Sequence, residues 1–541
     1  MQKWLLLYGL FFSIKLAAQN IQIPYSSTQE TLPEWAKLMY SPNADLSTVQ
    51  IAFEAYYQTH SFQKNKHSQY YKRWQRHFAR YPHWQGMSET EQRHYQEKQA
   101  EYRQKSLQIQ QQRSPSSSWQ SMGPFDFDKT AASTSYACGA AHVYTLEKAK
   151  SNPNILYAGT ATAGLWKSLD NGNNWTLATP NLLINSVRAL EISFNDSQIV
   201  YFTSDLDGKV YKTTSGGASW STTGDATFNS VSHFCTDIIM HPLFSNVLLL
   251  ASNQGLYRTN NSGATWSLIQ AGIFQEIEFH PHLPNIVYAI KQVSNRTEFY
   301  KSTDNGLTFI QKPNGWPVPA TLGDQRRTEI AVSPNDSNKI YAVLTGQVGF
   351  ASGLHSMLVS NDAGESWSSI CCGAALLNFP STSNPNLMHW ADDGQGNGGQ
   401  YYYDLALAVS PNDADSVLVA GVNLWFSEDG ANTFSCPSQW DHSYKDNYVH
   451  ADIHDIRFYG NEIWIACDGG IFYSIDNGLT FQRRMKGIQG TDFWGFGAGF
   501  QDGEVMLGGT YHNGTLLKDN NVYINDWIST DGGDNYRGFV H

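Results

Sequence analysis

The sequence predicts an all-β protein: a β-propeller of seven or eight blades, which could be part of a larger ring, preceded by a helical N-terminal segment. Three observations carry that prediction. A short motif recurs seven times at near-regular spacing, and apolar alternating strands closed by Asn, Asp, Gly and Ser fill the intervals. The composition is rich in aromatics (13%) and glycine (44 residues) and poor in charge (16%), a profile that suits a turn-rich, aromatic-packed β protein. A net charge of −12, with no nucleic-acid-binding motif, argues against a nucleic-acid partner.

Taken in chain order, residues 1–19 read as a signal peptide. Lys3 gives the positive end, Leu5 to Ile14 the apolar core, and Ala17-Ala18-Gln19 the small-residue exit. The apolar stretch is too short to span a bilayer and no later stretch is longer, so no membrane span is expected. No cysteine follows the cleavage position, which speaks against a lipid anchor there. Secretion or a cell-surface location follows.

Residues 20–118 form a Gln-, Lys- and Arg-rich region and linker. Ser88 and Glu91 make a capping box that opens a helix running to Gln112. Between Ser61 and Arg113 there are 11 Lys/Arg against 4 Asp/Glu. This basic segment could fold onto the acidic remainder or stand as a solvated arm. "SPSSS" at 114–118 is a linker by composition.

Residues 119–541 carry the repeat. Each unit starts with an alternating strand, turns at a Pro-Asn-Asp cluster and returns, as in "EIAVSPNDSNKIYAV" (329–343) and "DLALAVSPNDADSVLVAG" (404–421). A hairpin follows, as in "KSLDNGNNW" (167–175), "KSTDNGLTF" (301–309), "VSNDAGESW" (359–367) and "YSIDNGLTF" (473–481). The closing aromatics are Trp175, Trp220, Trp266, Phe309, Trp367, Phe434 and Phe481, at steps of 45, 46, 43, 58, 67 and 47 residues. A period of 40–50 residues with several strands per unit marks a propeller, and the two long steps mark inserted loops. Asn-Gly and Gly-Gly supply the positive φ of a tight hairpin, Ser and Asp bond the turn's own NH groups, and the aromatic plugs the core. Asp170, Asp304, Asp362, Asp429 and Asp476 are therefore structural. A catalytic aspartate would not alternate with Ser215 and Asn261, which fill the same position in two copies.

The motif resembles the Asp-box, or bacterial neuraminidase repeat, over residues 119 to 541. "YVHADIHDIRF" and "IWIACDGGIFYS" look most like the sortilin-like repeat proteins exported by Bacteroidetes, and more distantly like the two-propeller xyloglucan-cleaving glycosidases. The resemblance implies boxes on the rim away from the ligand face, export of the type IX kind, and further domains in a longer chain. The sialidases are a poor match, because their Arg-Ile-Pro opening is absent. In the xyloglucan-cleaving family the first blade reads "YARTD-x-GG" with the Asp as general base. The matching stretch here is "YAGTATAGLWKS" (157–168), which places Ala161 in that position. Alanine can neither activate water nor protonate a leaving oxygen.

The starts of the inner strands supply the candidate ligand-binding residues: Arg188, Asp237, Glu276, Glu329, Asp404 and, in "HADIHD", His450, Asp452 and His454. Alternation puts His450, Asp452 and His454 on one face. Such a ring could hold a cation, a sugar or a basic peptide, or be the wet lining of a channel. His450, Asp452 and His454 lack an evident fourth ligand, so no metal site is assigned. In the inserted loop "HWADDGQGNGGQYYYD" (389–404), Asp392 and Asp393 offer calcium ligands at a spacing that fits no familiar calcium loop. Otherwise no cofactor is expected. Trp390, Tyr401, Tyr402, Tyr403 and Trp440 could stack on sugars or simply cover a blade edge, and the loops of the two enlarged blades should meet on one face.

Six cysteines are too scattered for a disulfide framework or a zinc motif. Cys372–Cys436 is one possible loop disulfide, and Cys235 and Cys467 read as buried thiols in strands. At the C-terminus Ser529, Asp531, Gly533 and Tyr536 match the box spacing but could instead open another blade. The function expected is an exported, non-enzymatic propeller recognising a glycan or peptide. The alternatives are a glycoside hydrolase related to the xyloglucan-cleaving enzymes and a scaffold within a larger surface protein.

Overall fold

The computed structural model describes residues 32–41, 44–62, 65–80, 121–128, 136–230, 232–318, 324–348, 351–372, 384–499, 502–520, 526–538 and 540. The signal peptide, the helix expected over 88–112 and the 114–118 linker lie outside these residues. Two compact units are present, Met1–Gln120 and Ser121–His541.

The first unit contains helices Glu34–Met39, Leu46–Thr59 and Lys66–Arg80. Asp45 caps the second, its carboxylate accepting from the Thr48 NH at 2.8 Å. Trp35, 1% exposed, is the centre of the packing, with the Phe53 ring edge-on at 4.9 Å and Tyr71 at 5.7 Å.

The second unit is all β. Seven four-stranded antiparallel sheets span 143–177, 190–223, 235–271, 273–311, 324–369, 406–438 and 453–483, each with its strands in sequence order. The seven inner strands neighbour one another in succession, and the seventh, Ile453–Tyr459, returns to the first, Val143–Lys148. The ring therefore closes at seven blades. The eighth sheet lies outside the ring: Phe493–Ala498, Met506–Thr510, Thr515–Lys518 and Trp527–Asp531, with Phe127–Asp128 added in parallel at its edge. Ser529 and Asp531 fall inside the fourth strand of that sheet. The match to the box spacing there is therefore not a hairpin between third and fourth strands, as it is in the seven blades.

The hairpins form as the residue types require. In the first blade the Ser168 hydroxyl donates to Asp170 Oδ1 at 2.8 Å and accepts from the Gly172 NH, while Asp170 Oδ1 accepts the Asn174 NH at 2.9 Å. The substituted copies keep these bonds. Ser215 Oγ accepts from the Ser219 NH at 3.1 Å, and Asn261 Oδ1 from the Thr265 NH at 2.9 Å. The turn residues have positive φ in pairs, such as Asn171 (56°) with Gly172 (76°) and Asn477 (56°) with Gly478 (82°). Trp175, Trp266, Trp367 and Phe481 are buried, whereas Trp220, Phe309 and Phe434 are half-buried.

Register places the hairpins at one end of the ring. Ser168 pairs with Leu156, which pairs with Lys148 at the far end of the inner strand, while Val143 and Thr160 pair at the opposite end. At that opposite end the inserted loop of the sixth blade packs on the long hairpin of the fifth. The Leu354 NH donates to Asn386 Oδ1 at 2.9 Å, and the Ser352 NH to the Asn397 carbonyl at 2.9 Å. The loops of the two enlarged blades do meet.

Two expectations need correction. Cys372 is bonded to Cys371, not Cys436, whose thiol instead faces the Ser438 carbonyl at 3.5 Å; Cys235 and Cys467 are buried free thiols in strands. His450, Asp452 and His454 do not share a face. Asp452 takes a left-handed φ of 60°, and regular pairing starts only at Ile453, so the alternation breaks and His450 turns away. Its Nε2 lies 3.1 Å from the Ala137 carbonyl.

A candidate site at the seam of the ring

The seventh blade, the first blade and the eighth sheet meet where the ring closes, and the backbones there come very close. A side chain on Gly139 would overlap Asn513 Oδ1 and the Gly469 Cα, so glycine is required at this crossing. Asn513 donates its side-chain NH to the Asp468 carbonyl at 2.8 Å, and the His142 NH donates to the Gly490 carbonyl at 3.1 Å.

Asp468 lies at the centre, fully buried at the end of strand Glu462–Cys467. His142 Nε2 and His454 Nε2 lie 2.8 and 2.6 Å from its Oδ1. His512 Nε2 lies 3.2 Å from Oδ2, and the Tyr403 hydroxyl donates to Oδ2 at 2.8 Å. Beyond them Asp492 Oδ2 stands 3.5 Å from His142 Nδ1, and Asp534 Oδ1 accepts the His512 NH at 2.9 Å. Asp452 joins from the other side, with Gln400 donating to its Oδ1 at 2.8 Å and His512 Nδ1 3.7 Å from its Oδ2. Asp404, 1% exposed, stands beside it with one oxygen that has no hydrogen-bond partner among the described residues.

These contacts divide the protons unequally. Burial alone would raise the Asp468 carboxyl, but His142 and His454 hold it well below the usual carboxylate range. Burial opposes charge on His142, yet Asp468 and Asp492 bring it up to about 9. Burial holds His454 down at about 4 despite Asp468. The two imidazoles thus share one charge, and the direction that stands is an ionised Asp468. Burial, then the neighbouring acids, push Asp452 well above its ordinary value; burial and Asp468 bring Asp404 up to about 7.

The other candidates are engaged elsewhere. Arg188 pairs with Asp205 at 3.0 Å and lies over the Tyr144 ring at 3.8 Å. Asp237 accepts the Ile277 NH at 3.2 Å, and Glu276 the Ile330 NH at 2.6 Å. Glu147 accepts the Ile192 NH at 3.2 Å, Glu278 the Val332 NH at 3.2 Å, and Asp455 the Leu146 NH at 3.1 Å. Each of these acids reaches from one inner strand to the free backbone edge of the next blade's inner strand. Glu329 instead pairs with Arg327 at 3.0 Å. They line a central cavity of about 970 Å³, into which Tyr403 and His454 also face. In the inserted loop Trp390 and Tyr402 are exposed (51% and 71%). Asp392 accepts from Gln439, Asp393 from the Gln395 NH at 2.8 Å, and Trp440 donates to the Trp390 carbonyl at 3.0 Å.

Sequence reasoning missed Asp468, His142 and His512. The signal for Asp468 was present: Thr160 and Cys467 are the matching ends of their strands, so "CDGG" puts Asp468 in the slot that Ala161 fills in the first blade. His142 and His512 have no local motif and become neighbours only through ring closure.

No family model matches the chain. It is 24% identical over 318 residues, 51% of this chain and 36% of the relative, to a probable oligoxyloglucan-reducing end-specific xyloglucanase of Neosartorya fischeri. Among solved structures it is similar to the GH74 xyloglucanase of Xanthomonas campestris: TM-score 0.53, 16% identity, 72% of this chain and 60% of that one. It is also similar to the GH74 enzyme of Niastella koreensis: TM-score 0.51, 17% identity, 75% of this chain and 61% of that one. The chain thus spans about a third of the curated relative and about three-fifths of these structures. The likeness to the solved structures supports the propeller fold.

Proposed function

We propose that the chain acts on a polysaccharide of the xyloglucan class, as a glycoside-cleaving propeller whose sugar site lies at the seam mouth on the eighth sheet. The observation that carries this reading is an aromatic strip flanked by acids. The Trp494 and Tyr536 rings, both exposed, lie 4.3 Å apart, Trp494 stacks on Tyr511 at 4.7 Å, and Tyr511 abuts His512 at 3.6 Å. Such a strip suits the apolar faces of successive pyranose rings. Asp492, beside His142, and Asp534, beside His512, have side chains 21% and 49% exposed, so substrate can reach them. One would protonate the leaving oxygen and the other activate water. The likeness to xyloglucanases supports the substrate class, and a signal peptide at 1–19 would deliver the chain to such a substrate.

The test is reducing-end release from xyloglucan and a panel of β-glucans by the full chain and three variants. Asp492→Asn and Asp534→Asn should each lower kcat by about 10²–10⁴, while Trp494→Ala should mainly raise KM. Folded wild-type protein that releases nothing from any substrate would rule cleavage out.

A second reading, recognition without cleavage, is favoured by Ala161 and fits the sortilin-like resemblance. It expects retardation in xyloglucan-containing gels that Trp494→Ala abolishes, with no release.

A further inference from the structure

Independently of any glycan chemistry, we infer that His142, His454, His512 and Asp468 form a binding site for one divalent transition-metal ion of the zinc class at the seam of the ring. Three imidazole Nε2 atoms from three separate parts of the chain point at one buried carboxylate, at 2.8, 2.6 and 3.2 Å. Three histidines and a carboxylate are a donor set that zinc takes in tetrahedral sites; the ligand atoms of His142, His454 and Asp468 all lie within 4.8 Å of one another, and those of Asp452, Asp468 and His512 form a second such group that shares Asp468.

Two further observations point the same way. His142, 3% exposed, has no hydrogen-bond partner on Nδ1 among the described residues, yet that atom faces Asp492 Oδ2 at 3.5 Å. A carboxylate behind a histidine is the outer support that ligating imidazoles usually have. His512 is held at a left-handed φ of 68°, a strained conformation for a non-glycine residue, by the Asp534 carboxylate on its NH. The Tyr403 hydroxyl, 3.0 Å from His142 Nε2 and 3.3 Å from His512 Nε2, closes the site toward the central cavity. An ion bound here would tie the first blade, the seventh blade and the eighth sheet together.

The test uses the full chain, stripped with chelator, reloaded with zinc and dialysed, with metal counted by mass spectrometry; a parallel sample is loaded with cobalt(II) for its visible spectrum. One ion per chain and the intense ligand-field bands of tetrahedral cobalt are expected. His512→Ala should weaken zinc binding more than about 100-fold, and Asp492→Asn, which leaves all four ligands in place, by about 10–100-fold. The wild-type cobalt spectrum needs no variant to fold and decides the ligand geometry by itself. Substoichiometric zinc on folded protein, a weak octahedral cobalt spectrum, or affinity unchanged in His512→Ala would each overturn the site.

Discussion

Glu191 shows what the inner-strand acids do as single residues. It is 8% exposed on the inner strand of the second blade and accepts the Met240 NH of the third. Burial, then the adjacent Glu147, holds its carboxyl well above the ordinary glutamate value, so the folded protein keeps it neutral where the unfolded chain ionises it. The raised folded pKa means that its contribution is full below the unfolded pKa and is lost as pH rises toward the folded one. Glu191→Gln, which keeps an acceptor but cannot ionise, should therefore gain on wild type by up to about 1.4 kcal/mol per pH unit above about pH 4.5. Urea unfolding of both proteins from pH 4 to 8 measures this, and a constant difference would refute it. At this scale the sequence was half legible. The positions of Asp237 and Glu276 were evident from strand starts, but period-2 alternation says only that they face the channel. That their oxygens close the neighbouring blade's backbone edge follows from the ring's curvature, which alternation does not encode. For Asp452 the same rule failed outright, because a left-handed residue resets the alternation.

The blade hairpin was the most legible element, since all its determinants lie within nine residues and recur. Ser360 and Asp362 illustrate the economy of the turn: Ser360 Oγ accepts from the Gly364 NH at 2.9 Å, and Asp362 Oδ1 from the Glu365 and Ser366 NH groups at 3.0 and 2.9 Å. What the turn needs from Asp362 is an accepting oxygen, as Asn261 shows by filling the same place. Asp362→Asn should thus be nearly neutral, whereas Asp362→Ala takes the side-chain acceptor from both NH groups, leaving the Glu365 NH only the Asp362 carbonyl at 3.4 Å, and should cost about 1–2 kcal/mol. The plug matters more. Trp175 is 3% exposed, and its Nε1 donates to the Gly172 carbonyl and, across the seam, to the Arg484 carbonyl at 2.6 Å. Trp175→Ala should cost about 3–5 kcal/mol in the same unfolding assay, and a loss below that of Asp362→Ala would refute its role as the plug. The inserted loop was less legible. Its residue types suggested a ligand surface, but the structure commits Asn386, Asn397 and Gly399 to the neighbouring hairpin, leaving Trp390 and Tyr402 as its exposed aromatics.

At the scale of the whole molecule the decisive event is closure, which joins residues more than 300 positions apart. The repeat count left seven or eight blades open, because the last four-stranded sheet has a blade's strand order. Its place outside the ring depends on the contact between Val143–Lys148 and Ile453–Tyr459, and no local pattern announces that contact. Among the interactions that hold this seam are the Asp455 carboxylate on the Leu146 NH, the close Gly139–Gly469 crossing, and an ion pair between Lys148 and Glu462 at 2.5 Å. Lys148 is 7% exposed and Glu462 24%, and Glu462 also accepts from Trp464 Nε1, so removing the lysine strands a half-buried carboxylate. Lys148→Ala should cost about 2–4 kcal/mol, less than a fully buried pair because solvent screens Glu462. Lys301–Glu365, at 2.8 Å between the fourth and fifth blades, is a fitting control, because the chain itself already joins those blades. Blades adjacent in sequence stay together when one contact is lost, but the first and seventh have no covalent link to restrain them. Hydrogen exchange should therefore show protection lost along both 143–148 and 453–459 in Lys148→Ala, and only locally in Lys301→Ala. Equal, local effects in the two variants would mean that the seam is no weaker than any other junction in the ring.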